Sequence, residues 1–314
     1  MHSMTESEQS LLRRLLENSR SSHADLGKRI GKSRNWVART IRKMAQNRVI
    51  LAYVTVFDPA RVYAERNTML LIKTNPRELD VSQGLLEMAE LESLDGISGE
   101  HSLLGLFRFR GVGTFEGLLD GVDQVVAKSR AEKYQLVQVL ATYKTHGFTL
   151  NDRSTRPELV SSKDWELMST IYRQAPSEEN PFPLSQSDIG KRMDPCLSQP
   201  AVSKAMKRLE NRGAILGYSV DIKFANIGLP IKFFLQIKPT PGTIAQTARK
   251  ISMMEEVWDL HRTSEDYSLF ATVRTSSVEA YNRFLRRLYE NGGVLDTQSQ
   301  ISLEEWFVPV RKSR

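Results

Sequence analysis

One pattern occurs twice in this chain. Asp25-Leu26-Gly27-Lys28-Arg29-Ile30 returns as Asp188-Ile189-Gly190-Lys191-Arg192-Met193, and Val49-Ile50-Leu51-Ala52-Tyr53 returns as Ala214-Ile215-Leu216-Gly217-Tyr218. The first pair is offset by 163 residues and the second by 165, so two extra residues fall within Asp194-Pro195-Cys196-Leu197. A repeat whose period is about half of the 314 residues constrains the fold more than any single motif: the chain holds two copies of one unit, an internal pseudo-dimer.

The charge is unevenly placed. Residues 1–50 carry 11 Lys/Arg against 4 Asp/Glu, and the other 264 carry 33 against 33. Charge that served only solubility would be spread out; a basic segment on an otherwise neutral chain suits a phosphate-binding patch. The chain has one cysteine, Cys196, so no intramolecular disulfide forms and a reducing, cytoplasmic setting is expected. The first residues, with Arg13, Arg14 and Arg20, do not read as a signal peptide, and no apolar run is long enough to span a bilayer.

Within each copy the helix signals recur in order. Thr5-x-x-Glu8 opens a helix over 5–18 with Leu11, Leu12, Leu15 and Leu16 on one face. Ser22-x-x-Asp25 opens a short helix to Ile30, Gly31-Lys32 makes a turn, and Ser33 caps a helix to Asn47 with Val37, Ile41 and Met44 inward. This is a helix-turn-helix, and Val49–Phe57 reads as the wing strands, ended by Asp58-Pro59. In the second copy Ser161-x-x-Asp164, Ser185-x-x-Asp188 and Ser198 mark the same starts, with Val202, Met206 and Leu209 inward and a longer, Pro-rich loop (Pro176, Pro181, Pro183) after the first helix. Strand, helix, strand, strand, helix, strand then follow in each copy, the helices spanning 79–91 and 115–128, then 244–254 and 278–289. That is the order of a ferredoxin-like split motif.

The helix-turn-helix, followed by Asn47-Arg48-Val49-Ile50-Leu51-Ala52-Tyr53 and Asp58-Pro59, or by Asn211-Arg212-Gly213-Ala214-Ile215-Leu216-Gly217-Tyr218, resembles the leucine-responsive regulatory protein/AsnC family over nearly the whole chain. Members are usually single units that pair through their ferredoxin-like sheets; this chain resembles two such units fused. The expected fold is α+β: winged helix-turn-helix 1–60, ferredoxin-like domain 61–145, linker 146–162, winged helix-turn-helix 163–224 and ferredoxin-like domain 225–314. The resemblance implies a sequence-specific DNA-binding transcriptional regulator whose two ferredoxin-like domains pair by sheet-face packing, with each other or with those of another chain. Double-stranded DNA is the expected partner; a small-molecule effector and a homo-oligomer through the ferredoxin-like domains stay open, and no membrane partner, metal or cofactor is expected. The family's effector segment reads Gly-x-Tyr/His-Asp. Gly99-Glu100-His101-Ser102 keeps the glycine but has serine for the acid, and the second copy reads Ser264-Glu265-Asp266-Tyr267-Ser268. Gly99, Glu100, His101, Ser102, Asp266 and Tyr267 are therefore effector candidates, for a ligand unlike the family's or for none.

The third helix of a helix-turn-helix enters the major groove with its N-terminal residues nearest the base edges. Arg34, Asn35 and Arg39 are thereby candidate base contacts, and Arg42, Lys43 and Arg48 candidate phosphate contacts. Arginine suits guanine O6/N7 and asparagine suits adenine N6/N7. Trp36 is expected in the core. In the second copy Gln199, Ser203 and Lys204 take the reading role and Lys207 and Arg208 the phosphates; its segment 161–217 holds 8 basic against 7 acidic residues, so it serves either DNA or a partner surface. An unequal pair implies an asymmetric site. Five scattered histidines, none at metal-ligand spacing, and the absence of a nucleophile elbow, phosphate loop or dinucleotide fingerprint argue against catalysis. The enzyme alternative is a siroheme decarboxylase-like protein of the same architecture, with His101, Arg108, His261 and Arg262 holding a tetrapyrrole. Its expected His- and Tyr-rich stretches are not found in this sequence.

Overall fold

The first half of the chain runs α1 (Glu6–Glu17), α2 (His23–Ile30), α3 (Arg34–Gln46), β1 (Ile50–Phe57), α4 (Pro59–Val62), β2 (Asn67–Lys73), α5 (Leu79–Leu86), β3 (Leu91–Ile97), β4 (Leu103–Arg108), α6 (Val112–Ala127), β5 (Lys133–Thr145) and β6 (Phe148–Thr149). The second runs α7 (Ser162–Ile171), β7 (Arg173–Gln174), α8 (Gln186–Lys191), α9 (Gln199–Asn211), β8 (Ile215–Ile222), a 3-10 turn (Phe224–Ile227), β9 (Ile231–Pro239), α10 (Ile244–Ser252), β10 (Val257–Thr263), β11 (Leu269–Thr275), α11 (Val278–Glu290) and β12 (Val294–Trp306). The structure is a computed structural model that describes residues 4–62, 67–74, 79–108, 112–129, 133–150 and 161–308. Most of the expected linker, 151–160, lies outside the described residues. Its beginning is not a linker: Thr145 pairs with Phe148, so 144–149 form a tight hairpin. The order strand-helix-strand-strand-helix-strand appears twice, α5 being shorter than expected because the chain has turned into β3 by Leu91.

The described residues divide into two units, and each draws on both halves of the sequence: 4–62 with 161–230, and 67–150 with 231–308. The first holds the helices. Leu11, Leu12, Leu15, Leu26, Val37, Ile41 and Met44 are buried in one three-helix head; Leu167, Met168, Ile189, Val202, Met206 and Leu209 are buried in the other. The strand after each third helix is not half of a wing hairpin. β1 lies between β7 and β8, antiparallel to both, with Tyr53 opposite Val220 and Gln174. It reads as a continuous run without alternation because it is buried on both faces. Its register is pinned from the other copy: Thr55 donates from Oγ1 to the Ile171 carbonyl (2.6 Å) and Ser219 from Oγ to the Leu16 carbonyl (2.9 Å). A three-helix head alone is too small to satisfy such a strand, so each copy completes the other.

The second unit is one sheet in the order β10-β11-β9-β12-β3-β4-β2-β5-β6, and β10 also pairs with β5, so the strands close on themselves. Alternation along the strands divides two faces. Leu70 and Ile72 point to α5 and α6, packing on Val81, Leu85, Leu118 and Val122, while Met69 and Leu71 point inward to Phe234 and Phe270 of the other copy. Leu235 and Ile237 do the same against Ala248, Ile251, Phe284 and Leu288. The expected sheet-face packing is present, and edge pairing of β12 with β3 and of β10 with β5 is added to it. One seam carries buried charge. The Lys232 ammonium lies 2.8 and 2.9 Å from the Asp95 carboxylate, Ser302 Oγ donates to the same carboxylate at 2.8 Å, and Arg274 holds Glu305 with two bonds of 2.9 and 2.7 Å. Removing Lys232 would strand the buried Asp95 charge in a dry site, which typically costs about 3–5 kcal/mol.

Candidate nucleic-acid interface

The heads are assembled by the same local devices. Thr5 and Glu8 form a complete capping box on α1, and Ser22, Ser33, Ser161 and Ser185 each accept a backbone N–H at a helix start. Ser198 has the capping backbone conformation but makes no side-chain cap bond, and Pro200 in the first turn has no N–H to offer. The repeated glycine in the shared hexapeptide has a steric cause. A Cβ on Gly27 would collide with the Lys32 carbonyl, and one on Gly190 with the Leu197 carbonyl. In each copy that later residue donates its amide to the glycine carbonyl, at 2.9 Å from Lys32 and 3.0 Å from Leu197. The turn between the second and third helices folds back onto a bare Cα, and only glycine leaves room.

On α3 the structure brings together the residues expected to meet DNA. Arg34, Asn35, Arg39, Arg42 and Lys43 are all exposed, and Arg48 is exposed just beyond the helix. Trp36 is half-buried rather than in the core, with the Lys32 ammonium 5.6 Å from its ring centroid. Arg48 stands where the second copy has Gly213, and both adopt left-handed backbone, at φ 52° and 67°. That conformation costs a side-chain-bearing residue roughly 1 kcal/mol, and a basic group held there despite the strain points to use of its side chain. Lys43 has a partner already, Glu8 at 3.4 Å. The backbone bond from Thr5, together with the Lys43 charge, holds the Glu8 carboxyl below its ordinary pKa. The second copy repeats the arrangement: Arg208 pairs with the buried Asp164 of α7. Lys43 and Arg208, expected on phosphates, thus also tie the third helix to the first.

On α9 Gln199, Lys204, Lys207 and Arg208 are exposed and Ser203 is half-buried. They line a shallow concavity of about 760 Å³, and Asn211 and Arg212 line it too. Sequence reasoning missed the last two; the signal was their place one helical turn beyond Lys207 and Arg208. The side-chain amide of Gln199 donates one N–H to Gln186 Oε1 at 2.6 Å. The loops before the second helices differ as well. Residues 18–22 join α1 to α2, whereas 172–185 join α7 to α8. The longer loop reaches the first head. Phe182 lies 5.0 Å from the His23 ring and 5.8 Å from the Arg42 guanidinium, and the Pro181 carbonyl accepts from the buried Tyr53 hydroxyl at 2.7 Å.

The effector candidates lie in the second unit and only partly converge. Gly99, Glu100, His101 and Tyr267 line a cavity of about 270 Å³ with Gln135, Glu265 and Gln300, among others. Ser102 is not in that wall; its hydroxyl is used by the backbone, accepting from the Thr74 amide at 2.8 Å. Asp266 is exposed and outside it. The Oε1 atom of Gln300 is buried there without a hydrogen-bond partner. Burial lowers the His101 pKa, partly opposed by Glu100. Of the residues weighed for a tetrapyrrole, Arg108 lies near enough to His261 for its charge to help lower that imidazole's pKa, but His101 is not brought to them. His101 and Arg108 flank β4 at opposite ends, roughly 23 Å apart at strand rise. His261 is buried on β10, its Nδ1 3.1 Å from Thr142 Oγ1, and Arg262 is exposed. Among the described residues no cluster of His, Cys, Asp and Glu is arranged to hold a metal, and no helix is long and apolar enough to cross a membrane.

Residues 232–308 match the family described as the Lrp/AsnC ligand binding domain. The chain is 27% identical over 108 residues to the HTH-type transcriptional regulator FL11 of Pyrococcus furiosus, spanning 34% of this chain and 72% of that one. It is likewise 27% identical over 112 residues to the HTH-type transcriptional regulator LysM of Sulfurisphaera tokodaii, 35% of this chain and 78% of the relative. Among solved structures, the siroheme decarboxylase NirDL superposes with a TM-score of 0.60 at 14% identity, covering 95% of this chain and 91% of that one. That last likeness is one of fold.

Proposed function

Carrying an Lrp/AsnC ligand-binding domain and related to Lrp/AsnC-type helix-turn-helix transcriptional regulators, the chain is, we propose, a sequence-specific DNA-binding regulator made of two fused helix-turn-helix and ferredoxin-like units. The observation that carries this reading is the exposed basic face of α3, where Arg34, Asn35, Arg39 and Arg42 stand on the helix that a helix-turn-helix lays in the major groove. Arg34, Asn35 and Arg39 read base edges; Arg42, Arg48, Lys204, Lys207 and Arg212 meet phosphates. Because each copy completes the other's strand, one chain supplies the pair of heads that single-unit relatives obtain by dimerising; further association between chains runs through the ferredoxin-like domains. Sequencing genomic fragments retained by the purified chain tests the reading: discrete enriched sites are expected, and uniform recovery contradicts sequence specificity.

The 270 Å³ cavity is the place for an effector. Its wall offers Glu265, Tyr267 and the unpartnered Gln300 acceptor, which suits a small ligand rich in N–H donors. Calorimetry with amino acids and simple amines should give a saturable heat that Gln300→Leu abolishes. The decarboxylase alternative draws on the fold likeness alone. Two carboxylates and no described lysine or arginine in the cavity wall disfavour the several carboxylates of a tetrapyrrole. Absence of Soret-band binding on adding such a compound is the expected result.

A further inference from the structure

The two heads are built alike and equipped differently, and the difference lies where recognition takes place. The first turn of α3 presents Arg34 and Asn35, both exposed; the matching positions of α9 are Gln199 and Pro200. Pro200 has no donor, and the Gln199 amide gives one of its two N–H groups to Gln186. What α9 keeps exposed is cationic and lies further along the helix, at Lys204, Lys207, Arg208 and Arg212. Lysine is a point charge that suits phosphate, whereas paired donors such as arginine and asparagine discriminate bases.

The second difference is a brace. The loop of the second copy is itself ordered: the Ser177 amide donates to the Asn180 carbonyl at 3.1 Å, and the Leu184 amide to Gln174 Oε1 at 3.0 Å. From that platform Phe182 sits against His23, at the start of α2, and under Arg42 of α3. Tyr53 and Arg20 fasten the same loop through the Pro181 and Leu184 carbonyls, at 2.7 and 3.2 Å. The return reach, from Arg20 over the Tyr218 ring at 5.0 Å, goes through the Tyr218 hydroxyl to Glu210 near the far end of α9. The first reading helix is therefore held at Arg42, in its C-terminal half, and through His23 at the start of α2, by an element that the shorter loop 18–22 does not supply to α9.

We propose that the chain recognises a non-palindromic site in one fixed direction: α3 reads bases in an orientation held by Phe182, and α9 grips backbone phosphates. Phe182 is a positioning residue, acting through His23 and Arg42. This rests on the chain binding duplex DNA at all, and the experiment separates the two. The full-length protein is used to select from a randomised duplex pool, and the recovered site is then titrated base by base. The expected site has one informative half and a second half where substitutions change affinity less than about threefold, against about tenfold or more per base in the first. Phe182→Ala should lower the ratio of selected-site to random-DNA affinity about tenfold at unchanged salt slope, with Phe182→Tyr restoring it. Lys204→Ala with Lys207→Ala should weaken both DNAs equally. An inverted repeat with two equally informative halves overturns the inference while leaving DNA binding intact, as does an unchanged affinity ratio in Phe182→Ala. No binding even to random duplex overturns the reading it rests on.

Discussion

The third helix of each head carries the same scaffold and a different face. Both bury three apolar residues at one spacing, Val37, Ile41 and Met44 against Val202, Met206 and Leu209. Both follow a turn that only glycine permits, and both tie a basic residue to the acid of the first helix. They part at the exposed positions: Arg34 and Asn35 against Gln199 and Pro200, and Arg48 in strained backbone against Gly213. Packing and turn geometry tolerate little change, so the scaffold stays symmetric while the surface is free to specialise. On the proposed reading, the duplicated scaffold and the diverged surface together make one chain a directional reader.

The largest effect is expected on stripping the two third helices in turn. Arg34→Ala with Asn35→Ala should cost roughly 10²–10³-fold in affinity for the selected site, since each good base contact contributes about 1–3 kcal/mol of discrimination. Gln199→Ala should change it less than about threefold; equal losses would make the heads equivalent. The scaffold should respond in the opposite, symmetric way. Gly27→Ala and Gly190→Ala each force a Cβ onto a carbonyl, and each should destabilise the helical unit by about 2–4 kcal/mol in denaturant titration. A tolerated alanine at either position would refute the close-approach explanation.

A pH series sharpens the contrast between the helical unit and the sheet unit. Burial pushes the His261 imidazole down from 6.5 to about 4; Asp259 opposes the shift, while Arg108 and His146 reinforce it. Neutral in the fold and readily protonated when unfolded, His261 contributes stability fully present above pH 6.5 and lost as the pH falls from there towards 4. Thermal unfolding of the sheet unit should weaken by on the order of 1–3 kcal/mol across that window, and His261→Gln should flatten the dependence. The smallest effect is expected at Arg48. Arg48→Gly relieves the left-handed strain and should stabilise the helical unit by about 1 kcal/mol while weakening random-duplex binding several-fold. A variant that gains stability and loses no affinity would assign Arg48 no role on DNA.

Much of this architecture is legible in the residues. The hexapeptide repeat, the Ser/Thr caps and the 3.6-residue spacing of Val37, Ile41 and Met44 mark both three-helix heads, because these are local signals. The pairing of β1 with β8 is not legible. A strand buried on both faces loses its alternation, and nothing in Ile50–Phe57 says which strand it meets, so a wing hairpin is the natural but incorrect expectation. The candidate DNA residues of α3 follow from charge and helix position alone. The partners of Lys43 and Arg208, the loss of the Ser198 cap bond and the docking of Phe182 depend on contacts between residues distant in sequence. Arg42 and Phe182 are 140 positions apart, and only the fold brings them together. The effector segment divides similarly: Gly99–His101 and Tyr267 meet at one cavity, whereas Ser102 is taken by the Thr74 backbone.

Whether α3 is a DNA-reading helix is decided by a fluorescence-anisotropy titration of the full chain on random duplex at several salt concentrations. With Arg42, Arg48, Lys204, Lys207 and Arg212 on phosphates, log K should fall against log salt with a slope near about −4.5, and Arg42→Ala/Arg48→Ala should flatten the slope to about −3. No binding at low salt, with both units folded by circular dichroism, would contradict the account.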